Sequence, residues 1–141
     1  MKQVHLICLV IITSVTACTQ SPEEQLAHLN GYWEIANVTT PDGETKTFSL
    51  SQNIDFFDIQ DHQKGIRKKV QPDINGHFTT SQSSENIDIE FTEGMLILAY
   101  TTAFDTWKET VIKASKEQLV LLNENGNTYT YRRYEPILLS E

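Results

Sequence analysis

The chain has little cysteine. Of its 141 residues only Cys8 and Cys18 carry a thiol, and both lie within the first 18 positions. No disulfide framework can therefore stabilise the remainder, which must fold around an ordinary apolar core. A nucleophilic cysteine is excluded from the same part of the chain.

Basic residues are also scarce, with 11 Lys and Arg against 19 Asp and Glu and a formal net charge of −8. So acidic a chain lacks the electrostatic footprint of a nucleic-acid-binding protein and is repelled by anionic lipid. One basic run, Lys64–Lys69, is interpreted as charges that alternate along an exposed strand edge and discourage aggregation. A site for a phosphate or lipid headgroup is the alternative.

Catalytic motifs are missing as well. The sequence has no Gly-x-Ser-x-Gly, no His-x-x-x-His and no phosphate-binding glycine loop. Asp58, Asp61 and His62 form one local cluster of potential metal ligands, but side chains at a strand end and its turn do not converge well on an ion. We therefore expect a protein that is not an enzyme and that holds no cofactor and no metal.

The first 18 residues are the most specific part of the sequence. Lys2 precedes an apolar stretch at 4–12, and Val15-Thr16-Ala17-Cys18 follows, as in a secretory signal peptide. The stretch is shorter than the roughly 20 apolar residues of a membrane-spanning helix, which disfavours an uncleaved anchor. The four residues that end in Cys18 resemble the lipobox of bacterial lipoproteins. That resemblance implies cleavage before Cys18 and lipid attachment to its thiol and new amine.

This leader divides the chain. We predict a lipoprotein signal peptide at 1–17, a lipidated cysteine and polar tether at 18–28, one folded domain at 29–136 and a tail at 137–141. The length that remains after cleavage suits a single domain. In Gram-negative lipoproteins, an aspartate directly after the lipidated cysteine resembles a signal for retention in the inner membrane. This chain has Thr19 at that position, so the lipoprotein resemblance implies the outer membrane of a Gram-negative bacterium.

The folded part is expected to be all-β. Turn signals separate short runs rich in Ile, Val, Thr, Phe and Tyr, and Ile87-Asp88-Ile89-Glu90-Phe91 alternates cleanly between apolar and acidic residues. Antiparallel strands with short connections favour a closed barrel, which has no unpaired edges, or a sandwich. The predicted strands lie near 32–39, 54–60, 65–71, 76–80, 86–92, 95–101, 106–113, 118–123 and 127–134, with a weaker piece at 45–50.

Two segments indicate which type of barrel the chain forms. Gly31-Tyr32-Trp33 opens the first strand, and Tyr129-Thr130-Tyr131-Arg132-Arg133-Tyr134 forms the last. This arrangement resembles the lipocalin and fatty-acid-binding superfamily, and the order of segments through 29–136 is similar to that of bacterial lipocalin-like lipoproteins. The resemblance implies a single up-and-down antiparallel barrel of eight to nine strands. It also implies that Trp33 plugs the barrel floor and that Arg132 or Arg133 packs across it.

A barrel of this kind implies a small hydrophobic ligand, such as a lipid or fatty acid. Alternation leaves open whether Arg132 or Arg133 points inward, and an inward arginine needs an anionic partner, either a ligand carboxylate or Glu109. The candidate lining consists of Ile35, Phe57, Ile89, Phe91, Leu98, Tyr100, Trp107, Tyr129, Tyr131 and Tyr134, besides Trp33.

A second function stays open. If side chains fill the barrel, the lipoprotein would act in envelope interaction or assembly through its outer surface. In either case we expect a monomer that contacts the membrane only through its lipid and binds no nucleic acid.

Overall fold

The computed structural model describes residues 19–135, so the predicted signal peptide, Cys18 and the predicted tail lie outside the described residues. No helix of the described range has the length and apolar character needed to cross a bilayer. The elements are α1 Pro22–Ala27, β1 Gly31–Thr39, β2 Thr45–Thr47, β3 Ile54–Ile59, β4 Lys64–Pro72, β5 Phe78–Thr80, β6 Glu85–Thr92, β7 Met95–Thr101, β8 Thr106–Ala114, β9 Gln118–Asn123 and β10 Thr128–Arg133.

Eight strands close into an antiparallel barrel. They follow one another in the order β1, β3, β4, β6, β7, β8, β9, β10, and β10 then pairs with β1 over its whole length. Two short strands stand outside the barrel, β2 on β1 and β5 on β4. The predicted barrel is therefore confirmed, and the sandwich is excluded.

The turns behave as the sequence predicts. Glu93 and Gly94 both have positive φ, at 52° and 75°, in the two-residue connection between β6 and β7. Positive φ at both positions matches the right-handed twist of the flanking strands, and glycine adopts it without steric penalty. The predicted strand at 76–80 and the weaker piece at 45–50 shorten to three residues each, as β5 and β2.

The register gives the barrel two ends. One end holds the start of β1, the end of β10 and the β6–β7 turn, and we call it the closed end; the other holds the β7–β8 turn, and we call it the open end because α1 does not cover it. Helix α1 covers the closed end, where Leu26 and Leu29 join the same buried cluster as Trp33. The helix begins in a capping box, in which the Ser21 side chain accepts from the Glu24 N–H and the Glu24 carboxylate accepts from the Ser21 N–H.

The predicted polar tether is wrong for residues 20–28. The Gln20 side-chain amide donates to the Ala114 carbonyl and accepts from the Ala114 N–H at 3.3 Å. Gln25 is buried and donates to the Ile112 carbonyl at 3.3 Å. Strand β8 is bulged at Ile112, which leaves backbone groups without strand partners, and the two glutamines pair with backbone beside the bulge.

The interpretation of Lys64–Lys69 as an exposed strand edge is also wrong. Strand β4 pairs with β3 on one side and with β6 on the other. It is therefore an inner strand of the barrel wall. Its Arg67 side chain lies inside the barrel with the residue only 7% exposed.

Candidate functional site at the open end of the barrel

The floor of the barrel is built at the closed end. Trp33 is fully buried, and its indole N–H donates to the Leu29 carbonyl at 2.8 Å. The Arg133 guanidinium lies 3.6 Å from the centre of the Trp33 ring, close enough for a cation–π contact. Gly31 has a φ of 113°, and a Cβ there would lie 2.8 Å from Arg133 Nη1. The glycine of the Gly-x-Trp segment thus makes room for this arginine.

Arg133 also connects the last strand to the segment before β1 and to the β8–β9 turn. It donates to the carbonyls of Asn30 at 2.7 Å, His28 at 2.9 Å and Lys116 at 2.9 Å. Arg132 points the other way, to Glu34 at 2.8 Å and to the Ser49 carbonyl at 2.7 Å. The question that alternation left open is therefore answered, because Arg133 is the arginine that packs across Trp33.

Apolar side chains fill the middle of the barrel. Phe57, Leu98 and Leu121 have no exposed surface, and Ile87 has almost none. Ile35 and Ile89 pack against this cluster from partly buried positions. The predicted lining residues Phe57 and Leu98 are thus core residues in the structure, packed by their neighbours.

Charged residues occupy the interior near the open end. Five side chains, which we call the mouth cluster, share the inward face of their strands: Asp55, Arg67, Glu85, Tyr100 and Glu109. Arg67 Nη1 lies 3.2 Å from Glu109 Oε2, and Arg67 Nε donates to Glu85. The guanidinium carbon is 4.3 Å from the centre of the Tyr100 ring. Arg67 thus lies between two carboxylates and an aromatic face.

Side chains that reach solvent surround this cluster. Trp107 stacks on Tyr100 with ring centres 5.1 Å apart and an angle of 12°. Trp107 and Tyr129 are half-buried, and Lys69 is exposed while it donates to Asp55. Tyr131 is buried below them. Of the predicted lining residues, Tyr100, Trp107, Tyr129 and Tyr131 therefore come together at or just below the open end.

Two groups of the cluster have unusual electrostatics. Burial raises the pKa of the Glu109 carboxyl, although the Arg67 guanidinium counteracts part of that shift. The Tyr100 hydroxyl is buried and has no hydrogen bond of normal geometry among residues 19–135, although it lies near enough to the Glu109 carboxyl to lower the pKa of that group. A buried hydroxyl without a partner is uncommon in folded proteins and calls for a structural or functional explanation.

Comparisons with known proteins bear on the fold. No family model matches the chain, and no curated protein matches it. Among solved structures, a lipocalin-like protein from Bacteroides uniformis is 14% identical, with a TM-score of 0.49, 76% of this chain covered and 99% of that chain. An uncharacterized protein from Bacteroides eggerthii is 12% identical, with a TM-score of 0.47 and coverage of 75% and 99%. The architecture itself follows from the strand order and the Trp33–Arg133 floor, and not from these similarities.

The fold is a closed up-and-down barrel of eight antiparallel strands, as the resemblance to lipocalins implied.

Two predicted lining residues do not face the interior of this barrel. Phe91 is 46% exposed. It lies on the inward-facing side of β6, but near the end of the strand, beyond the closed end of the barrel wall. Tyr134 follows the inward Arg133, and its ring lies 6.0 Å from that of Phe78 on β5, outside the barrel. Both are corrections to the predicted ligand site.

Three members of the mouth cluster have little signal in the sequence. Asp55 precedes Phe56 and Phe57, Arg67 lies in a run with charges on both faces, and Glu85 follows a polar stretch. Glu109 does face an inward arginine, but that arginine comes from β4 rather than from β10. Alternation on β3 was the one usable signal, because Asp55 shares a face with the apolar Phe57.

The raised pKa of Glu109 predicts a pH dependence of stability. In the unfolded chain the carboxyl ionises near 4.5, whereas in the barrel it keeps its proton to higher pH. The native state then binds more protons, so the free energy of unfolding falls as pH rises from about 4.5 through the native pKa. We expect Glu109→Gln to remove this fall. Urea denaturation of both proteins across that range measures it, and parallel curves would contradict the assignment.

Proposed function

We propose that this protein is a lipid-anchored envelope lipoprotein whose barrel binds a small amphipathic molecule at its open end. The observation that carries the proposal is the mouth cluster. A buried ion pair loses so much hydration energy that apolar residues of similar volume often stabilise a fold as well or better. Perturbed titratable groups in an enclosed site are typical of functional sites rather than of a core built for stability alone.

The chemistry of the open end indicates the class of ligand. The half-buried rings of Trp107 and Tyr129 offer apolar faces to the body of a small molecule. The Tyr100 hydroxyl lies below them, buried beside Glu109, and can donate or accept a hydrogen bond if a ligand reaches it. Binding of this kind combines apolar contact with a few polar groups that fix orientation.

The charges favour a neutral or cationic polar group over a carboxylate. Asp55, Glu85 and Glu109 outnumber Arg67 and Lys69, and the Arg67 guanidinium already contacts two of the carboxylates. A ligand carboxylate would have to displace one of them. The hypothesis that Arg132 or Arg133 holds a fatty-acid carboxylate is not retained, because Arg132 faces outward and Arg133 lies in the floor.

The proposal includes the cellular location inferred from the sequence. Cys18 would carry the lipid, Thr19 would permit transfer to the outer membrane, and the monomeric barrel would bind its ligand passively, without a catalytic step. Two or three acyl chains hold a protein on a bilayer almost irreversibly, since each buried CH₂ contributes about 0.8 kcal/mol.

Native mass spectrometry of residues 19–141, purified from an envelope-targeted expression and incubated with envelope lipid extract, tests the binding. We expect a discrete bound mass. We also expect Trp107→Ala to weaken it by about tenfold, because that variant removes a ring at the mouth. Phe91→Ala removes an aromatic ring of the outer surface and should leave binding unchanged. An equal effect of both variants would place the ligand elsewhere.

One observation favours a second function. The filled middle of the barrel, with no exposed surface on Phe57, Leu98 or Leu121, suits a barrel that binds no ligand. The protein would then act through its outer surface in envelope interaction or assembly. A clean apo mass, together with no uptake of hydrophobic dyes, is the result expected from this function and would overturn the first.

A further inference from the structure

An apolar groove lies where the chain enters the barrel. It has a volume of about 750 Å³ and runs along the closed ends of β7 and β8, beside the segment that leads into α1. Met95 and Ile112 form its apolar wall and are 41% and 51% exposed, while Thr19 and Gln20 line its other side. The groove is thus bordered by the residues that directly follow Cys18.

The connection between Cys18 and the barrel is short. Gln20 is held by two hydrogen bonds to Ala114, and the capping box of α1 starts at Ser21. Thr19 alone separates this fixed point from Cys18. Consecutive Cα atoms are about 3.8 Å apart, so a lipid on Cys18 would begin within about 8 Å of the groove. A chain anchored there has almost no free tether.

We infer that the closed end of the barrel docks on the membrane surface that holds the acyl chains of Cys18, with Met95 and Ile112 in contact with lipid. The inference rests on the lipid anchor of the proposed function, and it replaces the expectation that the protein contacts the membrane only through its lipid. The occupant is lipid rather than protein because the groove starts one residue from the anchor. Glu24 and Lys113 flank the groove with opposite charges, so apolar contact rather than charge attraction provides the affinity.

This docking fixes the orientation of the barrel. The β6–β7 turn lies at the end that faces the bilayer, and the β7–β8 turn with Phe104, which is 99% exposed, lies at the opposite end. The mouth cluster therefore opens toward the aqueous side. A ligand reaches it from solution and not by sliding out of the membrane.

Two labelled proteins test the orientation. The mature chain has no cysteine besides Cys18, which acylation blocks, so Ile112→Cys and Phe104→Cys each introduce one reactive thiol. Both replace exposed apolar side chains, at opposite ends of the barrel. The full lipidated protein, labelled with a fluorescent dye, is reconstituted in vesicles of phosphatidylethanolamine and phosphatidylcholine, which carry no net charge, with a nitroxide headgroup lipid. We expect several-fold stronger quenching at position 112 than at 104, and equal quenching would overturn the inference.

A second comparison tests the groove itself. Met95→Asp, combined with the label at 112, should reduce the quenching because it places a charge against lipid. Leu50→Asp adds the same charge at an exposed leucine of the β2–β3 connection and should leave the quenching unchanged. Equal effects of the two variants would contradict the docking. The intact mass reports acylation separately: a protein without acyl mass refutes the anchor, whereas an acylated protein with equal quenching at both ends refutes the docking alone.

Discussion

Replacing Arg67 with methionine is expected to lower the free energy of unfolding by about 3–5 kcal/mol at neutral pH, because it leaves a buried charge without its partner. Glu109 lies 3.2 Å from the guanidinium and is itself buried, so it loses its only cationic neighbour at that distance among the described residues. Urea denaturation followed by circular dichroism measures the loss. The loss should shrink as the pH falls, because Glu109 then takes up a proton.

Two further variants test whether the loss of stability comes from the burial of the Glu109 charge or from the loss of any ion pair. Arg67→Met combined with Glu109→Gln removes both charges and should recover a large part of the lost stability. Lys108→Met breaks the pair between Lys108 and Glu90, which is 2.8 Å long but half exposed, and should change stability by less than about 1 kcal/mol. If Arg67→Met has no larger effect than Lys108→Met, the mouth cluster is not desolvated.

Trp33→Ala is expected to destabilise the barrel by a similar amount, about 3–5 kcal/mol, since it leaves a large cavity in the floor. The variant also removes the hydrogen bond to the Leu29 carbonyl and the ring beneath Arg133. Trp107→Ala removes the other tryptophan, which is half-buried, and should have a smaller effect. Urea denaturation of both variants decides, and equal losses would show that Trp33 does not close the floor.

Much of the fold could be predicted from local sequence. Strand β6 shows its buried face in Ile87 and Ile89, and Glu93-Gly94 marks the turn that follows. Such signals are local because each residue's side of a strand follows from its neighbours. The floor was implied by the resemblance that the Gly-x-Trp and terminal segments carry, but the choice between Arg132 and Arg133 was not. That choice depends on pairing across the chain between β10 and β1.

The mouth cluster could not be predicted in the same way. Charges in Lys64–Lys69 fall on both faces of β4, so alternation assigns no inward residue, and only the register with β3 and β6 places Arg67 inside. The prediction of a polar tether at the N-terminal segment was wrong for a related reason. Gln20 is polar and reads as solvated, whereas its partner is backbone beside a bulge that the sequence of β8 does not reveal.

The contacts of Arg133 set an order for assembly of the barrel. Its guanidinium bonds to carbonyls 103 and 105 residues earlier, so the first strand has its floor only after the last strand is present. Contacts this distant in sequence form late, because the entropy of closing so long a loop must first be overcome. A nascent chain that lacks its final strand has an unpaired β1 and an uncovered Trp33. Closure of the barrel therefore waits until the last strand has been synthesised, and a chain truncated before β10 is expected not to fold.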